Sequence, residues 1–206
     1  MASETLTAKG RQTRDAIDAA ARKLFAERGF HGTTLADITS AAGRTTASFY
    51  RYYSDKEDLL ASLAHSFLVD VVMPSGLTVH LPSSPDDQQF FTAVVTGYWN
   101  MFKQNIGIMV AVDQLASSQT RFADLQNEFR RFGIDIVRAS VLRAQEQGYG
   151  SELDPEHTAL AISLLFERFT TVYLRTDTAT TLGVASTDED AVRTLSTIWK
   201  KTLYGC

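Results

Sequence analysis

TLADITSAAGRTTASFYRYYSDKE, residues 34–57, is the stretch of sequence that decides the fold. Three helix-start signals lie within it. Thr34 precedes Asp37 by three positions, Thr45 can cap a second helix, and Ser54 with Glu57 has the pattern of a capping box. Starts so close together require short helices that meet at sharp angles. The sequence predicts helices over residues 34–42 and 45–52, and a long helix that begins at Ser54 and ends by Pro74.

The first two of these helices are separated by a run of small residues, Ala41-Ala42-Gly43. Small side chains let helices pack closely, and glycine adopts the left-handed turn conformation at low cost. An amphipathic helix over residues 11–28 comes before them and stops at Gly29. This arrangement predicts a helix-turn-helix, in which the second helix of the pair enters the major groove of DNA.

The predicted recognition helix, residues 45–52, has a composition that helical propensity does not explain, because threonine is a mediocre helix former. Small groups allow a close approach to the groove floor, hydroxyls can bond base edges, and a methyl group can contact thymine. Tyrosine and arginine can reach the flanking phosphates. The alternative reading is a structural helical corner with a polar outer face.

The remaining sequence is also helical in pattern, apart from a proline-containing loop over residues 74–86 and a weak strand pattern at 77–81. Apolar spacing and capping residues predict further helices at 87–104, 107–116, 121–147, 155–175 and 188–204. The fold class is therefore all-α with about nine helices. We expect a three-helix DNA-binding domain over residues 1–60, followed by a helical ligand-binding and dimerisation domain over 61–206.

Composition places limits on function without identifying it. The 206 residues are 44% hydrophobic and include one cysteine, Cys206, so no internal disulfide can form. Neither a signal sequence nor an apolar run of membrane-spanning length is evident, which predicts a cytoplasmic protein with no membrane partner. The net charge is −4, and residues 1–60 carry nine basic and eight acidic side chains. Charge alone does not indicate a DNA-binding protein.

Residues 11–60 resemble the DNA-binding domain of the TetR family. The resemblance is carried by AERGFHGTTLADI at residues 26–38 and by AAGRTTASFYRYYSDKEDLL at residues 41–60. The aromatic cluster followed by Ser-x-Lys-Glu-x-Leu-Leu is specific in combination. About a quarter of the chain is covered strongly, and the rest matches only in helical layout and in the ending Leu-Tyr-Gly at 203–205.

The resemblance and the residue types together predict ten side chains that contact double-stranded DNA. Thr34 and Lys56 match the family's phosphate contacts, and a phosphate at Lys56 would also meet a helix N-terminus. The other eight are the base-facing and flanking positions Arg44, Thr45, Thr46, Ala47, Ser48, Tyr50, Arg51 and Tyr52. Thr46 stands where the family often has a longer polar side chain, Ala47 where glycine is common, and Arg44 where a small apolar residue is common. Base recognition is therefore expected to depend more on DNA shape and methyl contacts than on hydrogen bonds from the helix.

The second domain has two notable apolar features. Residues 160–166 are apolar nearly all round, which predicts burial on several sides. With the last helix they predict a homodimer interface that includes Leu160, Leu164, Leu165, Leu195 and Trp199. Aromatic residues and methionines at helical spacing form either plain core or an adaptable pocket for a small molecule. The candidate ligand-binding residues are Tyr98, Trp99, Phe102, Met109, Asp113, Phe129, Phe132 and Arg168, the last of which has a structural alternative as one half of an ion pair.

No catalytic or metal-binding pattern is present, since the four histidines are far apart and share no ligand spacing. We therefore expect no enzyme activity, no cofactor and no metal. The sequence predicts a homodimeric, sequence-specific transcriptional regulator that binds a palindromic operator. A repressor released by a small apolar or amphipathic ligand is favoured. The alternatives are an activator or architectural binder, or a ligand-binding or scaffold protein that no longer reads DNA.

Overall fold

The structure is a computed structural model that describes residues 7–76, 80–175, 180–184 and 187–205. These residues contain helices and no strand, so the all-α prediction is confirmed. Residues 77–79 of the weak strand pattern, and Cys206, lie outside the described residues. The long helices and the helices of the DNA-binding motif are α1 (Ala8–Arg28), α2 (Leu35–Ala41), α3 (Thr46–Phe49), α4 (Lys56–Phe67), α5 (Gln88–Gln104), α6 (Ile106–Ala116), α7 (Thr120–Glu146), α8 (Pro155–Leu174) and α9 (Asp188–Tyr204).

The chain forms two compact units. The N-terminal unit comprises Met1–Phe67 and Asn105–Gln126, and the second unit comprises Leu68–Gln104 and Asn127–Cys206. The N-terminal unit therefore includes α6 and the beginning of α7 in addition to the first 60 residues. Its core contains the apolar face predicted for α1, which is Ile17, Ala20, Ala21, Leu24 and Phe25. Gly29 ends α1 with a positive φ of 71°.

Helix α6 packs against the end of α1 at a point where only glycine fits. A Cβ atom at Gly107 would lie 2.5 Å from the backbone nitrogen of Ala26 and 2.7 Å from the carbonyl carbon of Phe25. The Arg22 guanidinium donates a hydrogen bond to Asn105 Oδ1 at 3.2 Å just before α6. The close backbone approach explains why α6 belongs to the N-terminal unit although it follows α5 in the chain.

Helix α4 begins and ends differently from the prediction. Asp55, rather than Ser54, is the capping residue, because its carboxylate accepts from the Asp58 N–H at 2.6 Å while the Asp58 carboxylate accepts from the Ser54 N–H at 3.0 Å. The predicted box of Ser54 with Glu57 is therefore wrong by one position. After Phe67 the chain continues as a π-helical segment, Leu68–Val72, and a helical turn, Met73–Gly76. The helical structure therefore continues past Pro74. Proline has no N–H to donate to an earlier carbonyl, and the π-helical segment lies directly before the turn that contains it.

The core of the second unit is built from aromatic side chains of α5, α8 and α9. Trp199 lies at its centre, with ring centroids of Phe90, Phe91 and Phe166 at 5.5, 5.2 and 6.0 Å. Its indole N–H donates to Ser140 Oγ on α7 at 3.2 Å. These contacts fix the unit from inside and leave other faces of α8 exposed. No helix of the described residues is both long and apolar enough to span a bilayer.

Candidate functional site

The turn between α2 and α3 has a complete Schellman geometry. Gly43 has a φ of 62°, its N–H donates to Ser40 O at 3.0 Å, and the Arg44 N–H donates to Thr39 O at 2.9 Å. At the other end of α2, Thr34 and Asp37 form the predicted capping box. Both ends of the short helix are thus fixed by local hydrogen bonds, which sets the direction in which α3 leaves the turn.

Helix α3 is one turn long, shorter than the predicted span of 45–52. Thr45 caps it, since its hydroxyl accepts from the Ser48 N–H at 3.2 Å and lies 3.0 Å from Ser48 Oγ. Phe49 is fully buried and anchors the helix, whereas Thr46 and Ala47 are exposed. Thr46 and Ala47 therefore offer one hydroxyl and two methyl groups to the outside. The hydroxyls of Thr45 and Ser48 bond to each other.

The aromatic residues that follow α3 form a turn with distinct roles. Tyr50 is 60% exposed and its ring packs edge-on against Phe49 at 5.7 Å. Arg51 is exposed and Tyr52 is half-buried. Both side chains contribute to a polar cleft of about 280 Å³, whose lining is Arg14, Arg51, Tyr52, Tyr53, Asp58 and Ser62. The structure thus brings the predicted flanking contacts to the surface beside α3.

Lys56 has a structural role that the sequence did not reveal. Its ammonium donates to the carbonyl oxygens of Phe30 and Thr33, both at 2.7 Å, and lies 4.2 Å from the centroid of the Phe30 ring. Partial burial lowers the pKa of this lysine. The side chain therefore ties the start of α4 to the loop between α1 and α2, and two of its three N–H donors are used in doing so.

Arg44 folds back against the turn. Its guanidinium Nη1 donates to Gly43 O at 3.1 Å, while Nε is buried and has no hydrogen-bond partner among the described residues. Unpaired buried donors are uncommon and costly. The residue that precedes the N-cap of α3 therefore holds a cation whose hydrogen-bond donors are only partly paired by the protein.

A partly buried polar network that apolar periodicity does not predict joins α1 to α4. The Tyr53 hydroxyl donates to Asp18 Oδ1 at 2.6 Å and accepts from Arg14 Nε at 3.0 Å, and Arg14 Nη2 donates to Ser62 Oγ at 3.1 Å. Burial raises the pKa of Tyr53 to about 12, and burial also raises the pKa of Asp18. The sequence signal for this network is the presence of polar residues at positions 14, 18 and 62 on two helices.

The structure divides the candidate ligand-binding residues between the two units. Met109 and the exposed Asp113, which accepts from Gln126 Nε2 at 2.7 Å, belong to the N-terminal unit. Trp99 and Phe102 are buried in the second unit, where Tyr98, Phe129 and Phe132 are partly buried. Arg168 is exposed on α8, and its roles as a ligand contact or as one half of an ion pair stay predictions.

The partly or fully buried polar groups of the second unit come from α5, α7 and α8. Arg130 donates twice to the Glu167 carboxylate, both bonds at 2.7 Å. The hydroxyl oxygens of Tyr98, Ser163 and Thr170 and the indole nitrogen of Trp99 are buried without a hydrogen-bond partner in the described residues. Only Tyr98 and Trp99 were predicted, since hydroxyls in a helix carry no periodic signal of their own.

The predicted dimer residues separate into two groups. Leu160, Leu164 and Leu165, predicted to lie at a dimer interface, are 43%, 39% and 40% exposed on α8 within the single subunit. Leu195 and Trp199 are 0% and 1% exposed within the subunit, so their assignment to the interface is corrected: they point into the aromatic core of the second unit. On α9 the exposed apolar side chain is Ile198 instead, at 38%.

Comparison with known proteins identifies the relatives of the chain. Residues 17–63 match a family described as "Bacterial regulatory proteins, tetR family". The transcriptional repressor KstR2 of Rhodococcus jostii is 29% identical over 167 residues, which are 75% of this chain and 76% of KstR2. The transcriptional regulator EthR of Mycolicibacterium smegmatis is 26% identical over 214 residues, which cover 99% of this chain and 95% of EthR.

Solved structures show the same fold. A regulatory protein of the tetR family from Rhodococcus RHA1 superposes with a TM-score of 0.71 at 20% identity, covering 93% of this chain and 97% of the other. FadR from Bacillus subtilis, solved in complex with stearoyl-CoA, superposes with a TM-score of 0.67 at 16% identity, covering 92% and 99%. Residues 17–63 thus match the tetR family of bacterial regulatory proteins, and the chain is similar over most of its length to transcriptional regulators and has the fold of tetR-family structures.

Proposed function

We propose that this protein is a homodimeric repressor that binds a palindromic DNA operator through α3 and is released by a small apolar or amphipathic ligand. The observation that carries this proposal is the exposed turn of α3, which is capped by Thr45, anchored by Phe49 and preceded by a rigid Schellman turn. An exposed helix fixed this firmly suits insertion into a major groove.

The DNA contacts follow from the surface around α3. The Thr46 hydroxyl and the Ala47 methyl face base edges, while Thr45 and Ser48, whose hydroxyls bond to each other, contribute at their outer faces. Tyr50, Arg51, Tyr52 and Thr34 contact phosphates. Lys56 contributes its third N–H, and Arg44 turns outward to give its unpaired guanidinium donor a phosphate or base partner.

The dimer forms through the exposed side of α8 and α9. The three exposed leucines of α8 lie at i, i+4 and i+5, and Ile198 adds to the exposed apolar surface of the unit. A second copy of this chain covers them in a two-fold arrangement, which presents two recognition helices to successive major grooves, about 34–36 Å apart. Leu164→Glu is expected to give monomers by sedimentation velocity, whereas Leu142→Glu, at an exposed leucine of α7, leaves the dimer intact. A wild-type monomer at micromolar concentration would contradict this arrangement.

One relative supports repression rather than activation, because KstR2 is named as a repressor. The test is transcription in vitro from a template that carries the DNA upstream of the protein's own gene. We expect the added protein to lower transcript yield, with no effect on a template of shuffled upstream sequence. Increased transcription would establish an activator instead, and an identical response of both templates would contradict operator recognition.

A further inference from the structure

Arg44 differs from other arginines of the N-terminal unit, because no side chain of the described residues pairs with its guanidinium. Nη1 donates to the carbonyl oxygen of the neighbouring Gly43 at 3.1 Å, and Nε is buried without a partner in the described residues. Other arginines of this unit reach polar or acidic side chains: Arg14 bonds to Tyr53 and Ser62, Arg22 bonds to Asn105, and Arg28 and Arg121 lie 3.6 and 3.8 Å from Asp37 and Asp58. A half-buried guanidinium with an unpaired N–H loses hydration without gaining a bond, so it requires an explanation.

The backbone at Arg44 is fixed beside the exposed turn of α3. The Arg44 N–H donates to Thr39 O at 2.9 Å within the turn, and the next residue, Thr45, is the N-cap of α3. In a helix-turn-helix the first residues of the recognition helix meet the base edges. The Arg44 side chain therefore starts from a rigid point next to the part of the motif that would meet bases.

The exposed surface of α3 itself has little capacity to read bases by hydrogen bonds. Thr46 offers one hydroxyl and Ala47 only a methyl group, while the hydroxyls of Thr45 and Ser48 lie 3.0 Å apart and bond to each other. A hydroxyl both donates and accepts, so it discriminates weakly among bases. Short side chains nevertheless let the helix approach the groove floor closely, which brings a long neighbouring side chain within reach of base edges.

A guanidinium selects one base by its chemistry, because all of its polar hydrogens are donors and it has no acceptor. In the major groove guanine presents two adjacent acceptors, N7 and O6. Adenine presents an acceptor beside a donor, thymine presents one acceptor, and cytosine presents a donor. Two N–H groups of one guanidinium can therefore bond together to guanine and to no other base.

We infer that Arg44 leaves the Gly43 carbonyl when DNA binds and donates two hydrogen bonds to N7 and O6 of one guanine in each half-site. The exchange gives up one exposed hydrogen bond and releases a donor that the free protein buries without a partner. This inference rests on the proposed DNA-binding function and names a base that the operator contains. The two-fold symmetry of the proposed dimer requires that guanine at the same place in both half-sites.

The test is selection of duplexes from a random library by the full-length protein. We expect the wild type to enrich a two-fold symmetric sequence with an invariant guanine in each half-site. Arg44→Met keeps a long side chain but removes its donors, so it should no longer require that guanine and should bind the wild-type sequence about tenfold more weakly or worse. Arg51→Met, at the exposed arginine that follows α3, is the matched control: it should weaken binding to every duplex and keep the guanine.

A second measurement replaces the selected guanine by 7-deazaguanine, which has a C–H group in place of the N7 acceptor. The affinity of the wild type should fall about tenfold, as the loss of a hydrogen bond from a charged donor implies, and the affinity of Arg44→Met should not change. The melting temperature of Arg44→Met without DNA should equal or exceed that of the wild type, because no bond to a charged partner is lost.

The inference is overturned if Arg44→Met still requires the guanine, whether its affinity is unchanged or is lower for all duplexes, since a uniform loss is the behaviour of a phosphate contact. It is also overturned if 7-deazaguanine does not weaken binding of the wild type, a result that decides the matter even if Arg44→Met folds poorly. A wild type that enriches no sequence would instead refute the proposed function itself.

Discussion

Two tyrosines, one in each unit, show how differently the two units are built. Tyr53 in the N-terminal unit donates to Asp18 and accepts from Arg14, and the network continues to Ser62. Tyr98 in the second unit has a buried hydroxyl with no partner in the described residues. The first unit uses its buried polar groups to fix the surface around α3. The second unit instead packs the Tyr98 ring against the rings of Phe102 and Phe166.

The largest effect on stability is expected at Gly107, where backbone atoms of α1 leave no space for a side chain. Gly107→Ala would place a methyl group 2.5 Å from backbone nitrogen of Ala26, and we expect the free energy of unfolding to fall by about 3 kcal/mol because neither backbone can yield. Gly133→Ala on α7 is the counterpart in the second unit, since its Cβ would lie 3.7 Å from Ser163 Oγ, an ordinary contact. It should stabilise by up to about 1 kcal/mol through helix propensity.

Urea denaturation followed by far-ultraviolet circular dichroism measures both changes. Equal effects of the two alanines, in either direction, would show that the units do not differ in packing as described.

The two tyrosines give the next largest difference. Tyr53→Phe removes hydrogen bonds to two charged groups and leaves the Asp18 carboxylate without a donor, so we expect a loss of about 1–3 kcal/mol. Tyr98→Phe removes a hydroxyl that lies beside the uncharged Thr170 hydroxyl and bonds to no charged group, so it should cost no more than about 1 kcal/mol. Thermal unfolding of both variants measures the contrast, and a Tyr98→Phe protein as damaged as Tyr53→Phe would contradict it.

Lys56→Met tests whether one side chain serves both the internal structure and DNA. Loss of the ammonium removes a hydrogen bond from each of the Phe30 and Thr33 carbonyls, and the Phe30 oxygen keeps only its bond from the Thr33 N–H at 3.3 Å, so the change should cost about 1–2 kcal/mol. It should also reduce the slope of log affinity against log salt concentration by up to about one unit. Lys23→Met, at an exposed lysine of α1, is the control and should change neither property.

The two measurements on Lys56→Met separate its roles. A stability loss with an unchanged salt slope would remove Lys56 from the DNA contacts, whereas a changed slope with full stability would refute its structural role.

The smallest effect concerns acid stability. Hydrogen bonds from Thr187 lower the pKa of Asp190 below its ordinary value of 3.8, so Asp190 contributes stability that is present above that value and is lost as the pH falls through the lowered pKa. Asp18 has the opposite sign: burial raises its pKa, so the folded state takes up a proton and gains stability relative to the unfolded chain as the pH falls.

Melting temperatures recorded from about pH 5 down to pH 3 distinguish the two aspartates. Asp190→Asn should make the acid-induced decrease shallower, and Asp18→Asn should make it steeper. The same change of slope in both variants would contradict these assignments.

Much of the fold was predictable because it depends on local signals. The cap at Thr34, the stop at Gly29 and the apolar face of α1 are each specified within a few residues, and the structure confirms all three. The family of the DNA-binding domain was recognisable for the same reason: its motif at residues 41–60 is continuous in the sequence. Site residues within that motif could be named, but their hydrogen bonds could not.

The contacts that the sequence did not predict join residues that are distant in the chain. Periodicity showed that α9 has an apolar face, but not that Leu195 and Trp199 face the core of their own subunit while Ile198 is exposed. The carbonyl partners of Lys56 lie more than twenty positions away, and no spacing rule connects them. The unpaired hydroxyls of Ser163 and Thr170 were unpredictable because the same residues normally bond to their own helix.

The central claim, that the exposed turn of α3 reads DNA sequence, is tested most directly by fluorescence anisotropy. Two labelled duplexes are titrated at one salt concentration, one from the region upstream of the protein's own gene and one of the same composition in shuffled order. We predict that the wild type binds the upstream duplex at least about a thousandfold more tightly, and that Thr46→Ala reduces this ratio by about tenfold or more while its affinity for the shuffled duplex is unchanged. Equal affinity of the wild type for both duplexes would contradict the claim.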